Sequence, residues 1–386
     1  MTFCFFWVAR MILMTTYMLN DIPFKTIYLH GLIRTREGKK MSKSEPKTMI
    51  DPLESIEKFG ADTLRIALIL GTGPGQDLRL YPEKMESSWR FVNKIWNAGR
   101  YILISIPKET PIMPPKNASS DYARWLLHSL NNLIIYTQNG LNANRLSDVA
   151  DNLRSFFWGE FCDWYLEMHK NSERSSEDDH ILSYAFTTLL KLLHPYLPFV
   201  TEKLWGYFDQ SKILASSEWP KPQKYNFQKA YSRIEIIKES ISQIRALREK
   251  AKIAINKKID ATLESEKHEH LFKSHINLII SLAKLESLKI NGKESKKNSE
   301  DLSSYFKDTL VSIDASLFDL KNEIDMIKKK IKMETDFLSK SQKKLNNVVF
   351  LKKAPEKIVS ELRGKVISTE KKVFALKKRL MYLEKN

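Results

Sequence analysis

Between positions 317 and 383 apolar residues recur at alternating intervals of three and four. The first run is Leu317, Leu320, Ile324, Ile327, Ile331, Leu338 and Leu345, with Glu334 and Ser341 as polar members of the same register. The second is Val359, Leu362, Val366, Thr369, Val373, Leu376, Leu380 and Leu383. This spacing draws a narrow apolar seam along a helix, which is stable only when a second seam covers it. The break at 346–355, ending in Ala354-Pro355, lets the chain turn back, so the two runs predict an antiparallel coiled coil over 315–386. From Lys321 to the end, 19 Lys and Arg stand against 8 Asp and Glu, and this excess of 11 is most of the chain's formal +17. It is either a solvated face or, concentrated on one hairpin, a surface for nucleic-acid phosphates.

The rest of the 386 residues is long enough for two to three domains. With only Cys4 and Cys162 there is no disulfide framework and no Cys-rich zinc knuckle, which points to a reducing, cytoplasmic or organellar setting. The apolar stretch 1–19 lacks a basic leading region and a small-residue cleavage pattern, and Arg10 interrupts it; a buried helix fits better than a signal peptide or a membrane span. A start with Phe5, Phe6 and Trp7 reads as a chain that begins inside a domain.

After Ile22-Pro23, residues 24–29 have the composition of a short strand, and 30–50 form a loop. Asp51-Pro52-Leu53-Glu54 is a helix start, Gly60 a stop, and Asp62 reads as the cap of a second helix. From Met85 onward, Trp89, Val92, Trp96 and Tyr101 turn the pattern helical, and about five helices follow as far as 252, a bundle over 85–255. Strand-like 259–263 and 310–313 flank a helix near 272–285, so 256–314 reads as a small α/β module. The predicted fold is mainly α, with a partial α/β segment over 1–84.

The sharpest chemical signal is Lys40-Met41-Ser42-Lys43-Ser44 on the breaker-bounded loop. Two ammonium groups three residues apart, interleaved with hydroxyls, can close over a triphosphate and follow its charge onto a leaving group. A solvated Lys-rich turn is the plainer reading of any Lys-x-x-Lys pair in so basic a chain.

The complete pentapeptide, however, is the signature loop of class I aminoacyl-tRNA synthetases. Its surroundings resemble the valyl-tRNA synthetase family: Phe5-Phe6-Trp7-Val8-Ala9-Arg10-Met11 before it, then Tyr28-Leu29-His30-Gly31-Leu32-Ile33-Arg34. Glu160-Phe161-Cys162-Asp163-Trp164-Tyr165 and Leu193-His194-Pro195-Tyr196-Leu197-Pro198-Phe199 are similar to the family's anticodon-binding helices. The terminal arm, with Phe350-Leu351-Lys352-Lys353-Ala354-Pro355 at its turn, favours the valyl members over isoleucyl and leucyl relatives. The His-Ile-Gly-His type motif is absent from these 386 residues, and no stretch remains for an editing domain, so the resemblance is to a carboxy-terminal portion. Glu45-Pro46-Lys47-Thr48 also replaces the family's Gly-Asn continuation, a departure that bears on loop closure.

The resemblance implies a valine–tRNA ligase, and it is this resemblance of the loop motif alone that implies a nucleotide-binding, Rossmann-like character for the α/β segment over 1–84. Lys40 and Lys43 would act on the departing pyrophosphate, with Met41, Ser42, Ser44 and His30 also at ATP, and Mg2+ accompanying the nucleotide. Trp7 and Phe3 either line the valine pocket or pack a core; His30 either meets nucleotide at a strand end or bonds within its loop. Implied partners are valine, tRNA-Val and a complementary amino-terminal polypeptide, with no membrane. A non-catalytic tRNA-binding protein is the alternative from another class. Trp158, Trp164, His169, His194 and Trp205 could stack on anticodon bases or pack helices.

Overall fold

The computed structural model describes residues 4–41, 50–172, 175–254, 256–292, 302–313 and 320–345, together with Gly364, Val366, Thr369, Glu370, Val373 and Lys377. Among the described residues it is mostly helical with two small sheets, and the chain divides into two compact units, 1–239 and 240–386.

In the first unit a π-helical turn, Cys4–Val8, leads into α1 (Ala9–Leu19), which ends where Asn20 adopts a left-handed conformation. The segment is helical as its composition predicts, but α1 has no buried residue, and Trp7 and Leu13 are more than half exposed. The expected burial is absent because its apolar residues have no packed face within the unit. Residues 24–29 form no strand; the pairing begins later, at β1 (Ile33–Arg34), beside the parallel β2 (Leu78–Arg79). β-Branched composition therefore marks an extended approach, and the ladder forms only where Gly31 lets two backbones meet.

Helix α2 (Pro52–Phe59) starts as predicted: the Asp51 side chain accepts the Leu53 amide at 2.7 Å and Pro52 occupies the first turn, where its missing N–H costs nothing. Gly60, at φ 86°, ends it and opens α3 (Ala61–Ala67). Asp62 does not cap α3; it lies within the helix and its carboxylate serves another one, described below.

The bundle is built from α4 (Pro82–Ser105), α5 (Asp121–Asn142), α6 (Leu146–Ser155), α7 (Leu166–Lys170), α8 (Ser176–Leu193), α9 (Pro198–Trp205) and α10 (Gln228–Lys250). Between α6 and α7 the chain is a ten-residue π-helix, Phe156–Tyr165. Its aromatic rows make the core: Phe161 stacks on Phe186 at 6.1 Å and Phe157 meets Phe91 edge-on at 6.0 Å. Gly99 lets α4 approach α9 closely, since a Cβ there would lie 2.6 Å from a Leu204 methyl.

In the second unit, β3 (Ile259–Glu264), β4 (Leu285–Asn291), β5 (Leu302–Phe306) and β6 (Thr309–Ile313) form a sheet in the order β4-β3-β6-β5. The pair β3/β4 is parallel and needs a crossover, which α11 (Glu269–Ser274) and α12 (Ile276–Ala283) supply. Lys307 and Asp308, both at positive φ, make the tight β5–β6 turn. Arg245 and Arg248 donate to the Leu282 and Ala283 carbonyls at 2.8 Å, satisfying the last turn of α12.

Helix α13 (Leu320–Leu345) follows. Leu338, Val366 and Val373 cluster with Leu345 packed against them, Ser341 and Thr369 are buried, and Gln342 donates to Glu370 at 3.2 Å. These buried positions are members of the two predicted seams, whereas Met333 and Phe337, outside the register, are exposed.

Candidate functional site

The segment leading to Lys40 is a small hairpin. The Thr35 amide donates to the Lys39 carbonyl at 2.9 Å, the Gly38 amide to the Thr35 carbonyl at 3.0 Å, and Arg34 and Lys40 pair as an antiparallel bridge. Gly38 takes φ 84°, a left-handed turn position that suits glycine. On its other edge the hairpin is tied to β2 by Leu78 N donating to Leu32 O and Leu80 N to Arg34 O, both at 2.9 Å. A Cβ on Gly31 would lie 1.9 Å from the Gln76 carbonyl oxygen, so this approach requires glycine. Asp77 closes the corner: it accepts the Leu32 amide at 2.8 Å and pairs with the Arg34 guanidinium. The Leu32 amide foremost, and then Arg34, hold the Asp77 carboxyl below its ordinary range.

Beyond the hairpin, Met41 packs against the apolar cluster of Ala67, Leu80 and Met85, and Ile50 packs against the same cluster. The two flanks of the 42–49 segment are therefore anchored on one apolar base made by α3, α4 and the residue after β2. Lys40 is exposed beside this base. Ser42, Lys43 and Ser44 lie outside the described residues, as does Phe3.

His30 is exposed, and its Nδ1 lies 2.9 Å from the Gly31 carbonyl, to which it donates as the Nδ1–H tautomer. Trp7 is 53% exposed with the Arg10 guanidinium 5.9 Å from its ring centre. The cleft lined by Ser129, Tyr136 and Glu160 and the one lined by Glu264, Gly292 and Tyr305 include none of Trp7, His30 and Lys40.

Helix α3 links the hairpin-bearing segment to the bundle. The Asp62 carboxylate accepts Phe199 N at 3.2 Å and Val200 N at 2.7 Å, at the start of α9, and Arg65 donates to Pro195 O at 3.1 Å and Tyr196 O at 3.4 Å. Burial, the leading cause, pushes the Asp62 carboxyl above its ordinary value against these amides and Arg65. Sequence reasoning assigns Asp62 locally because a cap signal has no label for its target.

In the bundle, His194 donates from Nδ1 to Thr201 Oγ1 at 2.8 Å, and burial lowers its pKa. Trp205 is buried and donates from Nε1 to Lys212 O. His169 is fully buried, 3.6 Å from Asp179. These three hold helices together. Trp158 and Trp164 are only half-buried, with Lys94 5.3 Å from the first ring and Lys238 5.6 Å from the second. Lys238 carries no signal in the sequence: its Nζ bonds Glu160 at 2.5 Å and Glu235 at 2.8 Å over the Trp125 ring, and Trp125 Nε1 donates to Glu235.

A lysine-bearing loop, a helix after it and then a helical bundle follow one another in the order that the class I synthetase resemblance implies. Comparison with known proteins gives the same class. Residues 1–81 match the family model of class I tRNA synthetases (I, L, M and V), and residues 123–263 match the anticodon-binding domain of tRNA ligases. Residues 319–384 match the valyl tRNA synthetase tRNA binding arm.

Among individual proteins, the chain is similar to valine–tRNA ligases. That of Aquifex aeolicus is 34% identical over 92% of this chain and 32% of its own length; that of Clostridium acetobutylicum is 33% identical over 98% and 44%. The Listeria innocua enzyme is 32% identical over 94% and 42%. The chain thus spans between about a third and under a half of the curated relatives it matches. The three matched stretches, 1–81, 123–263 and 319–384, follow one another along it.

Proposed function

We propose that this chain serves as the carboxy-terminal part of a valine–tRNA ligase, over the domains 1–84, 85–255, 256–314 and 315–386. The observation that carries this is the ordered match of three synthetase domains along a chain similar to valine–tRNA ligases over more than nine-tenths of its length. In the reaction the valine carboxylate attacks the α-phosphate of ATP, forming an acyl–phosphate bond as the α–β phosphoanhydride breaks and pyrophosphate leaves. A terminal ribose hydroxyl of tRNA-Val then takes the acyl group, releasing AMP. Magnesium would accompany ATP and would supply charge neutralisation at the phosphates.

Lys40 and Lys43 stabilise the negative charge that grows on the pyrophosphate, a role of position and charge with no covalent protein nucleophile. The Met41 and Ile50 anchors support that role, because they fix both flanks of the lysine-bearing segment on one base. Ser42 and Ser44 contribute hydroxyls to the phosphates, His30 faces the nucleotide, and Trp7 with Phe3 faces the valine side chain. The bundle holds the anticodon stem and loop, and the arm holds the tRNA body. No described helix is long and apolar enough to cross a membrane. From the bacterial valine–tRNA ligases that the chain resembles, we assign the work to the cytoplasm, with an organelle as the alternative.

The test is valine-dependent exchange of pyrophosphate into ATP. The 386-residue polypeptide alone is expected to be inactive, since half of the nucleotide site's motifs are not in it. Adding a polypeptide that carries them is expected to restore exchange. Exchange by neither preparation, despite association, would overturn the catalytic reading and leave tRNA binding alone.

A further inference from the structure

The segment 71–76, between α3 and β2, is held from two sides. From α6, Asp151 Oδ2 accepts the Gly71 amide at 3.1 Å and Ser147 Oγ accepts the Thr72 amide at 2.9 Å. On the other side, the Gly75 amide donates to the Leu29 carbonyl at 2.8 Å, and the Gln76 carbonyl oxygen sits where a Cβ on Gly31 would lie 1.9 Å from it. Leu29 and Gly31 are the two chain neighbours of His30. One short segment therefore grips the backbone on both sides of His30 while it hangs from α6. The left-handed φ of 68° at Gly71 and 72° at Gly75 turns the chain between these two sets of bonds.

The α6 end of the arrangement is firmly seated. Ser147 and Asp151 are four residues apart and so share one face of the helix. Beside them Val149 and Ala150 are buried, and a Cβ on Gly140 of α5 would lie 2.3 Å from a Val149 methyl. Tyr196 donates to the Leu146 carbonyl at 3.0 Å, which ties down the start of α6. Lys84 adds a strap, its Nζ donating to the Leu70 carbonyl at 2.8 Å; burial lowers its pKa, and the Asp151 carboxylate opposes that shift. At the other end, His30 Nδ1–H goes to the Gly31 carbonyl, which leaves Nε2 as the ring's remaining polar atom. Where that atom sits depends on the 29–31 backbone, and so on the segment that grips it.

We propose that Ser147 and Asp151 are positioning residues for ATP, acting from α6 through 71–76 on the stretch that carries His30. The proposal rests on the reading of His30 as facing the nucleotide, and goes beyond it in giving a helix outside 1–84 a part in setting the ATP site.

Two measurements test it. In the whole 386-residue chain, the double variant Ser147→Ala, Asp151→Ala should speed hydrogen exchange at the Gly75 amide about tenfold, the scale set by loss of the bonds that hold the segment. In the enzyme completed by a polypeptide carrying the missing motifs, the same variant should raise KM for ATP about fivefold to tenfold, the size of a displaced hydrogen bond, while KM for valine and kcat at saturating ATP hold. A mere loss of folded enzyme would lower kcat and leave both KM values alone. Asp151→Asn, which keeps an acceptor for the Gly71 amide, should stay close to wild type in both measurements, as should Asn152→Ala on the exposed side of the same helix. Unchanged protection at Gly75, an unchanged KM for ATP in an active enzyme, or KM values for ATP and valine that rise together would each overturn the proposal and leave the ligase reading standing. Absence of exchange activity in the completed wild-type enzyme overturns that reading, and the assignment to ATP with it.

Discussion

The Asp62 carboxylate on α3 accepts the Val200 amide on α9 at 2.7 Å, across 138 residues of sequence. With the Phe199 amide at 3.2 Å it satisfies two of the orphan donors at the start of α9, where the helix dipole also favours a negative charge. This short bond joins the helix beneath the lysine-bearing loop to the turn that opens α9.

Asp62→Ala should therefore cost about 1–3 kcal/mol, the penalty of leaving buried donors unpaired. Asp62→Asn, which keeps an acceptor, should cost less. Because burial raises the folded-state carboxyl above its unfolded value, the wild type's own contribution is largest below the unfolded value and declines as pH rises through the folded one. The margin of wild type over Asp62→Asn should shrink in that direction. Urea unfolding from about pH 3.5 upward, just below the ordinary carboxyl range, measures it; a margin that widens with pH contradicts the assignment.

His194 runs the opposite way. Burial lowers its folded-state pKa below the ordinary 6.5, so its contribution is present above that value and is lost as pH falls through it to the folded value. Thr201 Oγ1 gives its own proton to the Leu197 carbonyl, which leaves it to accept from neutral His194 Nδ1–H. His194→Gln retains a donor without titrating. Its stability should depend less steeply on pH than that of the wild type below about 6.5, and identical slopes would remove His194 from the account.

Gly31→Ala should disrupt the hairpin's seat, because its Cβ collides with backbone rather than with a side chain that can turn aside. Overpacking of this kind costs about 1–3 kcal/mol or more. Hydrogen exchange at the Leu78 and Leu80 amides reads it directly, since both bond the hairpin. Gly73→Ala, which meets only the Gln76 side chain, is the control and should keep its protection.

Much of this architecture is legible in the sequence. Asp51-Pro52 opens α2 where expected because such cap signals act within one turn. Leu338, Val366 and Val373, three positions of the three-four repeat, are buried in one cluster. What escapes a sequence reading are relations between distant segments. Nothing near Gly31 announces Gln76, nothing near Asp62 announces Val200, and Lys238 meets Glu160 across 78 residues. The π-helix is equally invisible, since Phe156–Tyr165 has the aromatic spacing of any buried helix. The exposure of α1 has a related cause: composition records the need for a covering partner and not its presence.

In an enzyme made complete by the missing motifs, Lys43→Ala should slow adenylate formation far more than it weakens valine binding. Its ammonium is worth most when charge has moved onto pyrophosphate, so kcat falls while KM for valine holds. Met41→Asp, which puts a charge into the base shared with Ile50, should show the same pattern. A turnover unchanged by Lys43→Ala would sink the role given to the loop.

Deleting 321–386 should weaken tRNA binding and flatten its dependence on salt. The 26-residue α13 is about 39 Å long at 1.5 Å per helical residue, long enough to lie along several phosphates. Lys329, Lys332 and Lys377 are exposed on this arm, and the deleted stretch carries 19 Lys and Arg against 8 Asp and Glu. For every phosphate the arm no longer neutralises, the magnitude of the log–log salt slope should fall by about 0.7–0.9, because fewer counterions are released on binding. Preference for tRNA-Val should survive, because backbone contacts position a nucleic acid without reading its sequence. The measurement is affinity across a salt series for valine and non-cognate tRNAs, with and without the arm. Equal slopes mean that the arm's lysines face solvent and nothing more; a deletion that abolishes cognate preference alone means that the arm reads bases, and its role as an electrostatic clamp is wrong.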